Sequence, residues 1–336
     1  MDDATLHEVG ELEALRRFLP LLPAGDATLL GPGDDAAVVA APDGRFVVTT
    51  DTMLEGADFR LGWSRWHDLG WKAVATNLID VAAMGARPTS LVVALAVPPS
   101  TRVSALEELA RGLADAVAAM APGVGVVGGD LGTARHAVVA VTAFGDLEGR
   151  APVLRSGAGA GDAVWLVGAL GLAATGLRQL FAEAVDEAAE PVGEAAERLR
   201  SGHHGASVAA QLAPVTPIGA GWLLADLGAT AMLDVSDGLA LDAARVARAS
   251  AVRIALDGAA VAAASPGAVL AAALHGGEDH ALLVTLPAHV EPPAELAGHP
   301  VRRIGVVEAA TAGAPGTVTL DGEPLDARGW DPYRAG

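Results

Sequence analysis

Short β-branched runs bounded by glycine or proline alternate along the chain with longer stretches of apolar residues at helical spacing. Arg45–Thr50, Ser90–Val97, Val124–Val127 and Ala137–Phe144 carry the first pattern and read as strands. Asp68–Met84 and Ser104–Met120 carry the second. Asp68 can cap the first helix, Gly85 can end it and Pro88 follows, while Pro122 and Gly123 stop the second. From Asp146 to Asp162 the texture changes to DLEGRAPVLRSGAGAGD, glycine-rich and without a period. The alternation then resumes with a strand at Ala163–Val167, a helical stretch holding the acidic segment Ala182–Arg200, a strand at Thr230–Val235, a helix at Ser236–Ser250 and a strand at His280–Leu286. This order predicts an α/β or α+β protein of two domains, 1–148 and 149–336, divided in the glycine-rich segment.

Composition narrows the function classes. The 336 residues are 51 % hydrophobic and 19 % charged, a globular balance with enough chain for two cores. Lys+Arg number 22 against 41 Asp+Glu, a formal net charge of −19. Such a field repels phosphate backbones and argues against a nucleic acid or an anionic membrane as partner. The absence of cysteine excludes disulfides, zinc–thiolate sites, iron–sulfur clusters and cysteine nucleophiles. The start MDDATLHEVGELEALRRF has no basic or apolar leader pattern, and the most apolar stretch, Ser90–Pro98, is too short to span a bilayer. A soluble, cytoplasmic protein is expected. Lys72 is the single lysine, so there is no Gly-Lys-Ser/Thr triplet and no protein-kinase lysine context.

Gly31-Pro-Gly-Asp-Asp-Ala36 fits a loose dinucleotide-binding pattern, but Val38-Val-Ala-Ala-Pro42 leaves no room for the helix that pattern requires. Two carboxylates also stand where a diphosphate would lie. Aspartates recur where apolar strands meet small residues: Asp51 after Phe46-Val-Val-Thr-Thr, Asp130 after Val126-Val-Gly-Gly, and Asp234 and Asp237 around a strand-to-helix turn. Asp80 lies inside an apolar helix, with Thr76 and Asn77 on the same face. A carboxylate in a buried helix needs a cation, and this chain has few. An all-oxygen donor set without cysteine points to Mg²⁺ or Ca²⁺, and several Mg²⁺ ions point to phosphate chemistry. His275-Gly-Gly-Glu-Asp-His280 reads as a turn entering a strand, and Arg245 and Arg248 read as a solvated helix face.

In order and spacing, eight blocks resemble the thiamine-monophosphate kinase family of the aminoimidazole ribonucleotide synthetase-like (PurM-like) ATP-binding superfamily. They are GPGDDAAVV at 31–39, TTDTMLEGADF at 49–59, KAVATNLIDVAAMGARP at 72–88, VVGGD at 126–130, RSGAGAGD at 155–162, LDVSDGLALD at 233–242, GGEDHALL at 276–283 and DGEPLDARGWDPY at 321–333. The resemblance implies a two-domain PurM-like fold whose N-terminal sheet pairs across a homodimer. It implies transfer of a phosphoryl group from ATP to thiamine monophosphate, in line and with several Mg²⁺ ions. Asp35, Thr49, Thr50, Asp51, Asp80, Asp130, Asp234 and Asp237 match the metal-binding positions, with Asp34 beside them. Gly129, Asp130, Arg155 and Ser236 match nucleotide contacts, and Glu278 and Trp330 match substrate contacts. Asp58 stands where the family often carries a substrate-contacting histidine. That departure also fits a relative acting on another monophosphate, or a nucleotide-binding homologue without catalysis.

Overall fold

In the computed structural model, which describes residues 4–30, 37–183, 194–203, 205–310 and 316–330, the alternating runs of the first half form one four-stranded sheet. A short ladder of β1 (Thr28–Leu30) and β2 (Val38–Val39) precedes it. The sheet consists of β3 (Val47–Leu54), β4 (Arg87–Val97), β5 (Gly125–Thr133) and β6 (Val138–Asp146), in the order β3-β6-β4-β5. Period-two alternation gives it two different faces. Leu91, Val93, Leu95, Val139, Val141 and Ala143 point inward and are buried, while Val48, Thr50, Leu54 and Ala94 are exposed on the other face.

Helices α1 (Leu6–Val9) and α2 (Glu11–Phe18) open the chain, and the inner face of the sheet packs on α3 (Trp66–Ala83) and α4 (Val103–Met120). Leu69, Val74, Ala75, Leu78, Ile79, Val81 and Ala82 of α3 are all fully buried. A helix apolar on nearly every side must be covered all round. The cover is a second sheet, built from β7 (Ala163–Val167), β8 (Ala231–Val235), β9 (Val252–Leu256), β10 (Ala281–Leu286), β11 (Glu295–Leu296), β12 (His299–Ala309), β13 (Thr317–Leu320) and β14 (Glu323–Pro324). Its path is β14-β13-β9-β12-β7-β10-β8, with β11 pairing β12. Met232, Leu282, Val284 and Leu286 of this sheet share one core with α3. The helices of the second half are α5 (Leu172–Ala182), α6 (Glu194–Ser201), α7 (Gly205–Leu212), α8 (Gly221–Asp226), α9 (Leu239–Ser250), α10 (Gly258–Ala263) and α11 (Leu270–His275). Leu239 and Ala243 of α9 pack with Leu233 and Leu283 on the far face of the second sheet.

The mixed fold is as expected, with instructive differences. α9 begins at Leu239 instead of Ser236, because Gly238 takes φ 109° and holds Ser236-Asp237-Gly238 as a loop. β9 and β12 were not legible as strands. Part of the acidic segment, residues 184–193, lies outside the described residues. At the end of that segment Arg200 reaches Asp68 at 2.5 Å, and Asp68 is buried at the start of α3. Among the described residues no helix is long and apolar enough to cross a membrane.

α3 and α4 meet at glycines. A Cβ on Gly112 would stand 2.0 Å from the His67 carbonyl oxygen, and one on Gly70 would stand 2.1 Å from that of Leu109. Neither obstacle is a movable side-chain end, so the helices would have to part. Gly112→Ala is therefore expected to destabilise the chain by about 2–4 kcal/mol, read as a lower midpoint in urea unfolding. An unchanged midpoint would mean that the crossing is looser than these contacts.

Candidate active site

Helical spacing gives α3 one polar stripe, Lys72, Thr76 and Asp80 at i, i+4 and i+8, about 12 Å from end to end. Thr49, on the inward face of β3, donates its hydroxyl to Asp80 Oδ2 at 3.2 Å. Asp51 follows on the same face of the strand. Thr50 points to the open face, where it donates to the Val141 carbonyl at 2.9 Å and receives Thr142 Oγ1 at 3.3 Å. Thr49, Asp51 and Asp80 therefore gather on one side of the sheet and Thr50 faces the other.

The second sheet supplies the opposing wall. Asp234, buried at the end of β8, lies 3.3 Å from His280 Nδ1 across the ladder to β10. Burial pushes the Asp80 carboxyl up to about 7, and the nearby Asp234 adds to the shift. Asp80 also stands in the last turn of α3, where the helix dipole is negative. Burial lowers the proton affinity of the His280 ring, but the bond to Asp234 and the charge of Glu278 outweigh it and raise the pKa. His280 Nε2 and Asn77 Oδ1 are buried without a hydrogen-bond partner among the described residues. In the loop after β8, Asp237 pairs with Arg245 at 2.6 Å, and its N–H donates to Asp242 Oδ2 at 3.0 Å. Arg245 also reaches Asp242 at 2.5 Å, so it is a counter-ion within the site wall and not the solvated residue its sequence position suggested. Arg248 is exposed.

At the Lys72 end of the stripe the wall is formed by the Gly276–His280 turn. Glu278 pairs with Lys72, and its N–H donates to the Ser236 carbonyl at 2.7 Å. Burial alone would raise the Glu278 carboxyl, yet the Lys72 ammonium and the His280 ring hold it below the usual range. Asp58 accepts the Leu54 N–H at 2.8 Å, and burial with Glu278 nearby raises its pKa. Trp330 is tied to the same corner by its N–H on the Asp237 carbonyl at 3.0 Å, and its side chain is half exposed. Asp58, Glu278, Ser236 and Trp330 thus adjoin one corner of the cleft. Lys72 and His280 are site residues that sequence reading missed. A lone lysine in an apolar helix was the available signal for the first.

Three expected residues, Gly129, Asp130 and Arg155, stand apart within one chain. The register aligns Thr52, Ala140, Ala94 and Asp130 in a row across β3, β6, β4 and β5. Three strand spacings, about 14 Å, therefore separate Asp130 from the edge strand that carries Asp51. Asp130 and Gly129 are exposed and line a groove of about 1110 Å³ between the open sheet face and α2, walled by Phe18, Phe46, Val92 and Phe144. Arg155 is exposed, and its carbonyl accepts the Ser250 hydroxyl at the far end of α9, about 18 Å along that helix from Asp237. Asp34 and Asp35 lie outside the described residues.

The donors fit a hard divalent cation. They are oxygens only, and two of them, on Asp80 and Asp234, are carboxylates brought together with no Lys or Arg paired to either among the described residues. Among the described residues no three acidic or imidazole side chains converge on a single point. Mg²⁺ does not require that, because it takes one or two carboxylates and completes its shell with phosphate oxygens and water.

The chain matches the family model "AIR synthase related protein, N-terminal domain" over residues 33–147. It is 43 % identical over 292 residues to a thiamine-monophosphate kinase of Mycobacterium tuberculosis, covering 84 % of this chain and 82 % of that one. Among solved structures it is similar to a thiamine-monophosphate kinase from Stenotrophomonas maltophilia, with a TM-score of 0.74, 31 % identity and coverage of 89 % and 93 % of the two chains. A solved complex of AaThiL with AMPPCP and TMP superposes with a TM-score of 0.70 at 28 % identity, covering 98 % of this chain and 99 % of that one.

Proposed function

The chain belongs to the thiamine-monophosphate kinase family, and we propose that it transfers the γ-phosphoryl group of ATP to thiamine monophosphate, giving ADP and thiamine diphosphate. The observation that carries the reading is the meeting of Asp80 of α3 with Asp234 of β8, two carboxylates whose hydrogen-bond partners among the described residues are Thr49 and His280. Several Mg²⁺ ions, held by Asp80, Asp234, Thr49, Asp51, Asp237 and Asp35, would neutralise the phosphates of donor and acceptor.

The acceptor phosphate has a second pKa near 6 and is already largely dianionic at pH 7, so no side chain need deprotonate it. The task of the protein is placement, and direct in-line transfer needs no enzyme nucleophile. Asp80 and Asp234 define the reacting end of the cleft. Asp58 and Glu278 present negative charge at the other end, where it suits a cationic thiazolium and would repel a second phosphate. Trp330 offers an aromatic face beside them.

Asp130 and Gly129 complete this site through a homodimer, in the same reading. Two copies with their open sheet faces together would bring β3 of one against β5 of the other, placing the partner subunit's Asp130 at the edge strand β3 near Thr52, the residue after Asp51. The exposed apolar side chains Phe46, Val48 and Leu54 would then be covered. In this arrangement residues 1–148 form the dimerising domain and residues 149–336 close the cleft. Chelation of the divalent ion should stop formation of thiamine diphosphate, and added Mg²⁺ should restore it. Turnover undiminished in chelator would contradict the metal part of the reading.

A further inference from the structure

Lys72 is the single lysine of the chain, and α3 buries it to 4 % exposure. An ammonium is rarely so buried unless it is paired. Its partner is Glu278, from the turn before β10. The pair is one-sided: the Glu278 side chain is 40 % exposed and that of Lys72 is 6 % exposed. The ammonium and the Glu278 Oε2 paired with it are buried, while the rest of the Glu278 side chain opens to the cleft.

The backbone at Glu278 adds a second constraint. Its φ is 71°, in the left-handed region that a glutamate adopts at a cost, and its N–H is held by Ser236. Main chain and counter-ion together limit where the carboxylate can point. Lys72 itself cannot readily grip a phosphate, because leaving Glu278 would strand a charge. Its place on the helix stripe, about 12 Å from Asp80, also sets it away from the reacting end.

We propose that Lys72 is a positioning residue that acts through Glu278, fixing it as an oriented, half-exposed anion that receives the cationic ring of the acceptor. The inference rests on the acceptor assigned above. A double-mutant cycle tests it, using Lys72→Met, Glu278→Gln and the two combined, with KM for thiamine monophosphate, KM for ATP and kcat measured separately. Glu278→Gln should raise KM for thiamine monophosphate about tenfold, with kcat and KM for ATP within about twofold. Lys72→Met should do the same although Glu278 is still present, and Lys72→Arg should recover most of the loss. The combined variant should be no worse than Glu278→Gln alone, because both changes remove one device. It also removes both charges, so it remains foldable where Lys72→Met alone strands a carboxylate. An unchanged KM in folded Lys72→Met, or losses that multiply in the combined variant, would overturn this inference while leaving the kinase reading intact. No transfer to thiamine monophosphate by the unaltered chain would overturn the acceptor assignment, and this inference with it.

Discussion

Asp80→Asn should lose phosphoryl transfer on the order of a thousandfold, while the metal-free protein becomes more resistant to heat. The two effects have one cause. Asp80 is placed among apolar side chains of α3, opposite Asp234 and near the negative end of the helix dipole. Without a cation that placement costs stability whenever the carboxyl is ionised. Its pKa rises from 3.8 to about 7 on folding, so below pH 4 the group is protonated in both states and costs nothing. The penalty grows between pH 4 and 7 and is complete above pH 7, on the order of 4 kcal/mol. The amide removes it. Thermal melts in chelator at pH 8 should show Asp80→Asn several degrees above the unaltered chain, with the gap closing toward pH 4. Near-native activity, or a lower melting point at pH 8, would count against Asp80 as an electrostatically strained ligand.

Val48→Glu should convert the protein from dimer to monomer and reduce transfer roughly a hundredfold. Val48 is 53 % exposed on the open face of β3, so in a lone chain the substitution changes little, within about 0.5 kcal/mol. In the proposed dimer the same position is buried against apolar residues, and a carboxylate there is costly. Activity should follow assembly because Asp130 and Asp51 stand on opposite edge strands of one sheet. Mixing chains makes the point independently. Asp80→Asn and Asp130→Ala homodimers should each be inactive, whereas a re-equilibrated mixture should regain roughly a quarter of full activity, since half the dimers then hold one intact site. A fully active Val48→Glu monomer, or a mixture that stays inactive, would place each site within a single chain.

The parts of this site that could be read in the sequence are those whose cost is local. Asp80 stands out because a carboxylate inside an apolar helix contradicts its surroundings, and Asp234 and Asp237 because they interrupt a strand-to-helix turn. Lys72 carried the same signal, a lone cation in an apolar helix, but its meaning depends on Glu278, which only the packing of the second sheet brings near. His280 sits in a turn whose geometry depends on positive φ at both Glu278 and His280, and neither residue type announces it. Arg245 seemed solvated because Asp237 was matched to a metal and Asp242 lies three residues earlier on the same helix, a pairing that the strand-to-helix turn alone does not announce. The separation of Asp130 from Asp51 follows from the strand order β3-β6-β4-β5, a long-range fact that no local pattern contains. β9 was missed because it follows α9 directly, and β12 because arginine and glycine break its alternation.

The most direct measurement is a ³¹P NMR time course of the purified protein with ATP and Mg²⁺, with and without thiamine monophosphate. ADP and thiamine diphosphate should appear together and in equal amounts, and only when the acceptor is present. ATP that stays intact, or is hydrolysed equally without acceptor, would contradict the assignment of this site to phosphoryl transfer onto thiamine monophosphate.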